Sequence, residues 1–274
     1  MIELPEARVI SRDLKKEILG KQIVSVRGDF VNHKFTFYGN NPEEYDGFLL
    51  GKKVTGIIER NFYIEIEAED YKIIFRDGAN IRYYNSDCPK PDKSKLLIQF
   101  KDGAFINVTV AMYAFISVFD KNKETDNIYY NMELEKVGAL DKRFTYEYFN
   151  SLINETTIKL SAKAFLATEQ RILGIGNGVV QDILFNANVS PRTKISTLLE
   201  TQIRKLYDAT IDTIAEMINK NGRDTEKDIY GNDGGYKTIM SNKNFKEGCP
   251  TCKGEIKKEN FLGGSVYYCP TCQK

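Results

Sequence analysis

Histidine occurs once in the 274 residues, at position 33. A single imidazole leaves nothing for serine-histidine triads or histidine-rich metal centres, and His33, in the polar run Val31-Asn32-His33-Lys34, reads as a surface residue. No run of eighteen apolar residues is present, so no membrane span is expected. Charge of one sign is also missing. The net charge is +1, with 17 Lys/Arg against 14 Asp/Glu in residues 151–274 and a balance of −2 in residues 1–150. This gives no bulk electrostatic case for a polyanionic partner and excludes none, because a basic face can hide in a neutral total. No internal repeat and no signal-peptide pattern are apparent, and there are only five cysteines. What is plentiful is core-forming material: 42% of the residues are hydrophobic, enough for two ordinary domains and a small module.

The periodicity changes three times along the chain. Residues 1–20 carry Val9, Ile10, Leu14, Ile18 and Leu19 on one helical stripe, with Arg8, Arg12, Lys15 and Lys16 opposite and Gly20 as a stop. From about 21 to 118 short runs such as Ile23–Val26, Lys34–Tyr38, Lys53–Ile58, Phe62–Ile66, Lys72–Phe75, Leu96–Phe100 and Phe105–Val108 predict strands, with Asp77-Gly78 and Asp102-Gly103 as turns. Closely spaced strands of this kind predict an antiparallel sandwich or barrel. Residues 119–145 read as a polar linker. Helices return near 145–153, 161–169 and 176–187, with two more expected within 194–220, before a Gly/Asn/Asp-rich stretch, 221–246.

The last twenty-six residues carry the most specific spacing. Cys249-Pro250-Thr251-Cys252 and Cys269-Pro270-Thr271-Cys272 are separated by sixteen residues, a spacing that suits a structural zinc site. Zn²⁺ takes four thiolates tetrahedrally, and each Cys-Pro-x-Cys knuckle lets two of them share one metal. Two disulfides are the alternative; they leave Cys88 over and require an oxidising compartment, whereas reduced cysteines on a metal point to the cytosol.

Two further stretches stand out. Gly174-Ile175-Gly176-Asn177-Gly178 opens a helical run, an arrangement that exposes backbone N–H groups to a phosphate or simply lets two helices pack closely. Glu3-Leu4-Pro5-Glu6 places carboxylates around the first helical turn, as a helix start also does.

Together these three stretches resemble the formamidopyrimidine-DNA glycosylase and endonuclease VIII family. The resemblance rests on Glu3-Leu4-Pro5-Glu6, Gln170-Arg171 ahead of Gly174-Ile175-Gly176-Asn177, Asp182-Ile183-Leu184-Phe185, Pro191 and Cys269-Pro270-Thr271-Cys272-Gln273, in order along the whole chain. It implies an α+β multidomain fold: an N-terminal helix and antiparallel β-sandwich over 1–120, a helix–two-turn–helix domain over 121–240, and a four-cysteine zinc finger over 241–274. The implied activity is base excision from double-stranded DNA, damaged or abasic, by a monomer of the bacterial-type cytosol and nucleoid, with possible strand nicking. A flipped-out nucleotide is attacked by the α-amine that the family carries on an N-terminal proline, and the neighbouring glutamate moves protons.

Carried over position by position, the resemblance gives Glu3 as catalytic, and Ile2 as the nucleophile if Met1 is removed. It gives Lys163, Gly176, Asn177, Arg60 and Tyr113 as DNA contacts, and Cys249, Cys252, Cys269 and Cys272 as ligands of a structural Zn²⁺. The departures fall at working positions. The family's proline is Ile2, its hairpin lysine is Phe62, and its finger arginine is Gly264; the residues that fill the emptied duplex align with Asp77, Met112 and Tyr113. Loss of two phosphate-neutralising cations leaves an alternative, a catalytically inactive member that binds DNA or a lesion without cleaving it.

Overall fold

The structure, a computed structural model, describes residues 1–28, 34–123, 130–131 and 135–274. His33 and residues 124–129 and 132–134 of the expected linker lie outside the described residues. The chain forms two compact units: residues 1–2, 6–134 and 226–233 make the first, and residues 3–5, 135–225 and 234–274 the second. Among the described residues no helix is long and apolar enough to cross a membrane.

Helix Leu4–Ile18 (α1), which belongs to the first unit from Glu6 on, buries Ala7, Ile10, Leu14 and Ile18 in that unit's core; Ile10, Leu14 and Ile18 are in the stripe read from the sequence, whereas Leu19, expected on it, follows the helix and is exposed. These side chains join a cluster contributed by both halves of a seven-stranded sheet, including Ile23, Ile64, Phe75, Ile98, Val108 and Ile116. The strands are β1 (Ile23–Gly28), β2 (Thr36–Gly39), β3 (Val54–Arg60), β4 (Tyr63–Ala68), β5 (Tyr71–Tyr84), β6 (Leu96–Phe100) and β7 (Phe105–Asp120), in the order β1-β6-β7-β5-β4-β3. All pairs along this path are antiparallel, while β2 adds to β7 in parallel, Thr36 beside Ala114. A short helix, α2 (Tyr45–Leu49), follows β2.

The long strands β5 and β7 each serve both halves of the sheet. Phe105–Val110 pairs with β6 and with Ala79–Tyr84, whereas Ala114–Asp120 pairs with β2 and with Tyr71–Asp77. The change happens at Asp77-Gly78, which the sequence reads as a turn. The structure makes it a bulge: Asp77 has φ +60°, and one residue, Gly78, opposes three, Ala111, Met112 and Tyr113. A local turn signal carries no information about a partner strand that continues on both sides, and here that partner is β7. A Cβ on Gly78 would lie 2.7 Å from the Tyr113 carbonyl oxygen, so only glycine permits this approach.

Residues 226–233 complete this unit as a strap on β5. Tyr83 N donates to Ile229 O at 2.8 Å, the Ile229 side chain enters the sheet's core, and Tyr230 OH donates to Glu17 on α1.

In the second unit, Thr145 caps α3 (Tyr146–Ser151) and Ser161 caps α4 (Ala162–Ala167), each hydroxyl accepting a backbone N–H three residues on. Helix α5 (Val179–Asn186) and the twenty-residue α6 (Glu200–Asn219) follow. Where two helices are expected within 194–220, a 3-10 turn, Ile195–Thr197, precedes the single long helix. Leu4, Phe149, Phe165, Ile175, Val180, Ile183 and Leu206 share one apolar core. The stretch 234–246 is irregular and is tied to α5 by the buried Asp182 carboxylate, which accepts from Ile239 N and Met240 N. A terminal hairpin, β8 (Lys257–Phe261) and β9 (Gly264–Tyr268), turns through Leu262 and Gly263, whose φ values of +54° and +73° match the twist of two-residue hairpins.

Candidate functional site

The glycine-rich loop before α5 leaves the first N–H groups of that helix without helical partners. The structure fills them from within the same unit. Gly176 N and Val179 N donate to Glu3 Oε2 at 3.0 and 2.8 Å, and Gly178 N donates to Oε1 at 2.9 Å. Arg223 Nη1 stands 3.5 Å from Oε1. Glu3 is 5% exposed and Arg223 2%. The two glycines are required here: a Cβ on Gly176 would fall 2.7 Å from Glu3 Cδ, and one on Gly178 would collide with the Arg223 guanidinium. Sequence reading offers a phosphate or close helix packing for this loop. The anion that three of its N–H groups hold is the protein's own Glu3 carboxylate.

The rim of this loop meets the terminal hairpin. Asn177 is exposed, and its Nδ2 donates to Ser265 O at 3.3 Å. Lys163, buried on α4, donates from Nζ to Phe261 O at 2.8 Å, and burial pulls its ammonium below the usual lysine value. Two polar side chains thus converge on the hairpin backbone, one on each side of its turn. Gly264 lies between them, its Cβ direction 3.5 Å from the Asn177 carboxamide.

The four cysteines below this hairpin have all their Sγ atoms within 4.8 Å of one another. Cys249–Cys272 and Cys252–Cys269 are separated by 3.7 and 3.5 Å, close to the ~3.8 Å edge of a tetrahedron with Zn–S bonds of ~2.3 Å. These separations are far above the ~2.05 Å of a disulfide. Gln273 fastens the second knuckle to the helical core, accepting from Cys269 N and donating to Val189 O. The donor set fits a structural Zn²⁺ held by Cys249, Cys252, Cys269 and Cys272.

The remaining sequence-predicted residues belong to the first unit. Ile2 is buried, and its backbone N donates to Asp77 O at 2.6 Å. The α-amine of Met1 donates to Glu226 Oε2 on the strap at 2.5 Å. Arg60 closes the β3–β4 turn with its Nε 2.7 Å from Oε1 of Glu65, a fully buried carboxylate also held by Lys72 Nζ and Tyr130 OH. Phe62, in the same turn, stacks on Tyr63 at 4.7 Å, and the Arg76 guanidinium lies over both rings. Tyr113 is 41% exposed on the bulge beside Met112, at 64%; burial and the nearby Asp77 carboxylate hold its phenol above the usual value, against the pull of Arg76.

Glu3, Gly176, Asn177, Lys163 and the cysteine hairpin are therefore assembled within one unit, and Ile2, Arg60 and Tyr113 within the other. Two residues escape sequence reasoning, Arg223 on Glu3 and Glu226 on the terminal amine. Both lie in the polar stretch 221–246, where no local pattern separates a placed charge from a solvated one.

The chain is similar to known proteins along its whole length. Residues 137–228 match the family model described as the formamidopyrimidine-DNA glycosylase H2TH domain, and residues 246–274 match the zinc finger found in FPG and IleRS. The formamidopyrimidine-DNA glycosylases of Lactococcus lactis subsp. cremoris and Bacillus cereus are each 26% identical, over all of this chain and 100% and 99% of theirs. Among solved structures, Lactococcus lactis Fpg with abasic-site DNA superimposes with a TM-score of 0.81 at 25% identity, covering 99% of both chains. MutM with carbocyclic 8-oxo-G DNA gives the same three values.

Proposed function

We propose that the chain, which is similar to formamidopyrimidine-DNA glycosylases along its whole length, is a DNA glycosylase of that family that excises damaged bases from duplex DNA. The observation that carries this is the Glu3 carboxylate held in the N–H groups of the Gly174–Val179 loop, which ties the N-terminal segment to the helical domain. A flipped nucleotide needs its sugar C1′ brought to a nucleophile, and an amine on residue 1 or 2 is joined to Glu3 by one or two peptide units. With Met1 removed the amine is that of Ile2, beside the Asp77 carbonyl; with Met1 kept it is the amine beside Glu226. On this reading residues 1–120 supply the catalytic-type domain, 121–240 the helix–two-turn–helix domain and 241–274 the finger.

Zn²⁺ supplies folding energy to the finger and no reactive group. The hairpin it stabilises accepts from Lys163 and Asn177, whose donors are thereby held at one place; a DNA phosphate arriving there meets a partly desolvated ammonium and a carboxamide. Tyr113 and Met112, turned outward by the bulge, suit the space a flipped nucleotide leaves in the duplex. The protein acts as a monomer in the cytoplasm, where the cysteines stay reduced.

A second reading, a DNA binder without catalysis, is favoured by three positions. Phe62 and Gly264 stand where the family carries cations, and Arg60 is paired with Glu65, which it shares with Lys72. Incubation with duplexes carrying oxidised purines, oxidised pyrimidines or an abasic site separates the two. Base release, and borohydride-trapped adducts mapped to residue 1 or 2, are expected of the glycosylase; neither, together with retained duplex binding, is the outcome that replaces it with the second reading. Intact mass of the purified chain tells which amine is present.

A further inference from the structure

The carboxylate nearest the terminal amine is not the one that sequence comparison singles out. Both oxygens of Glu3 are taken by backbone donors of its own unit, leaving its carboxylate committed to the helix. In the first unit, by contrast, the Met1 α-amine and Glu226 Oε2 are 2.5 Å apart in a recess that Ile2, Glu6, Ile10 and Arg82 help to line. The contact is built rather than incidental. Glu226 is the first residue of the strap, and the strap is fixed on β5 by the Tyr83–Ile229 backbone bond and by the buried Ile229 side chain. On the other side Ile2 N donates to Asp77 O, so the residue next to the one bearing the amine is anchored on β5.

We propose that Glu226 is the proton acceptor for the Met1 α-amine, which is the nucleophile of the abasic-site reaction. The inference rests on the glycosylase reading above. An ammonium has no lone pair to give. Its proton passes to Glu226 Oε2, and the freed amine attacks C1′ of the ring-opened abasic sugar. The N–C1′ bond forms as the carbonyl π pair moves to oxygen. A second amine proton and the one on Glu226 leave with that oxygen as water, giving the iminium and restoring the carboxylate, so Glu226 is unchanged over the step. The other charged groups facing this amine are Glu6 on α1, Asp77 and Arg82 on β5, and Lys227 on the strap. Burial pushes the Asp77 carboxyl up despite the opposing pull of Arg76 and of the terminal ammonium, which makes Asp77 the poorer ion-pair partner.

The test is borohydride trapping of the full-length chain on an abasic duplex across pH 6–10, with Glu226→Gln and Glu226→Asp. A tetrahydrofuran duplex, which has no aldehyde, measures binding separately. Glu226→Gln is expected to bind that duplex as the wild type does and to trap about 100-fold more slowly at neutral pH. Its rate recovers as hydroxide takes over at high pH, and Glu226→Asp stays within about ten-fold of wild type. Wild-type trapping by Glu226→Gln at every pH overturns the proposal and leaves the glycosylase reading standing. So does a loss of trapping that parallels a loss of tetrahydrofuran-duplex binding with no recovery at high pH, since that marks the strap's structural role. An adduct mapped to Ile2 overturns it as well. No adduct from the wild type removes the amine chemistry itself, and this proposal with it.

Discussion

Glu3→Gln isolates the charge that closes the loop before α5, because shape and volume are kept. One acceptor oxygen becomes an NH₂ donor, and each carboxylate oxygen faces backbone N–H groups: Gly178 on one side, Gly176 and Val179 on the other. Whichever way the amide turns, at least one buried N–H faces a donor, a loss of about 1–3 kcal/mol. The negative charge beside Arg223 also disappears; a tight buried pair broken this way loses about 3–5 kcal/mol, and at 3.5 Å this looser pair contributes less. The sum is about 3 kcal/mol, or a fall of about 6–12 °C in Tm for a chain of this size. Thermal unfolding followed by near-ultraviolet circular dichroism reads it, and a double-mutant cycle with Arg223→Met should show coupling of about 1 kcal/mol. A fall below 1 kcal/mol for Glu3→Gln would refute the reasoning, since the carboxylate would then not be what holds the loop.

Three further outcomes are expected. Stripping zinc with a chelator, or Cys252→Ser, should release one equivalent of metal per chain to a colorimetric dye and unfold the 246–274 hairpin, read by loss of amide exchange protection there. Lys163→Ala should weaken duplex binding and reduce the slope of log K against log salt by about 0.9, the signature of one lost phosphate contact in a salt titration. Gly264→Arg should do the reverse: its Cβ meets the Asn177 carboxamide at an ordinary 3.5 Å, so the side chain is accommodated, binding tightens and the slope steepens by about 0.9.

Much of this fold was legible in the sequence because its signals are local. The α1 stripe, the helices near 145–153 and 161–169 and the two Cys-Pro-Thr-Cys knuckles each depend on residues spaced no more than four positions from the next. What escaped depends on partners far along the chain. Asp77-Gly78 reads as a turn until β7 runs past it, and the parallel seating of β2 on β7 joins residues 78 positions apart, which no alternation of side chains encodes. The site divides in the same way. Glu3 and the glycine loop were each visible, and each had a sufficient local explanation as a helix start and a close-packed turn. Their meaning came from meeting across 173 residues. Arg223 and Glu226, polar residues in a polar stretch, carried no signal at all.

The placement of Glu3 also has a consequence for synthesis. Its loop donors are residues 176–179 and its cation is residue 223, so these contacts of a carboxylate made among the first few residues form only after most of the chain has been made. At about 5–20 residues per second that interval is roughly 10–45 s. Within that interval every strand from Ile23 to Asp120 is made, whereas the loop and the arginine that hold Glu3 are still to come. The beginning of this protein is written first and seated last.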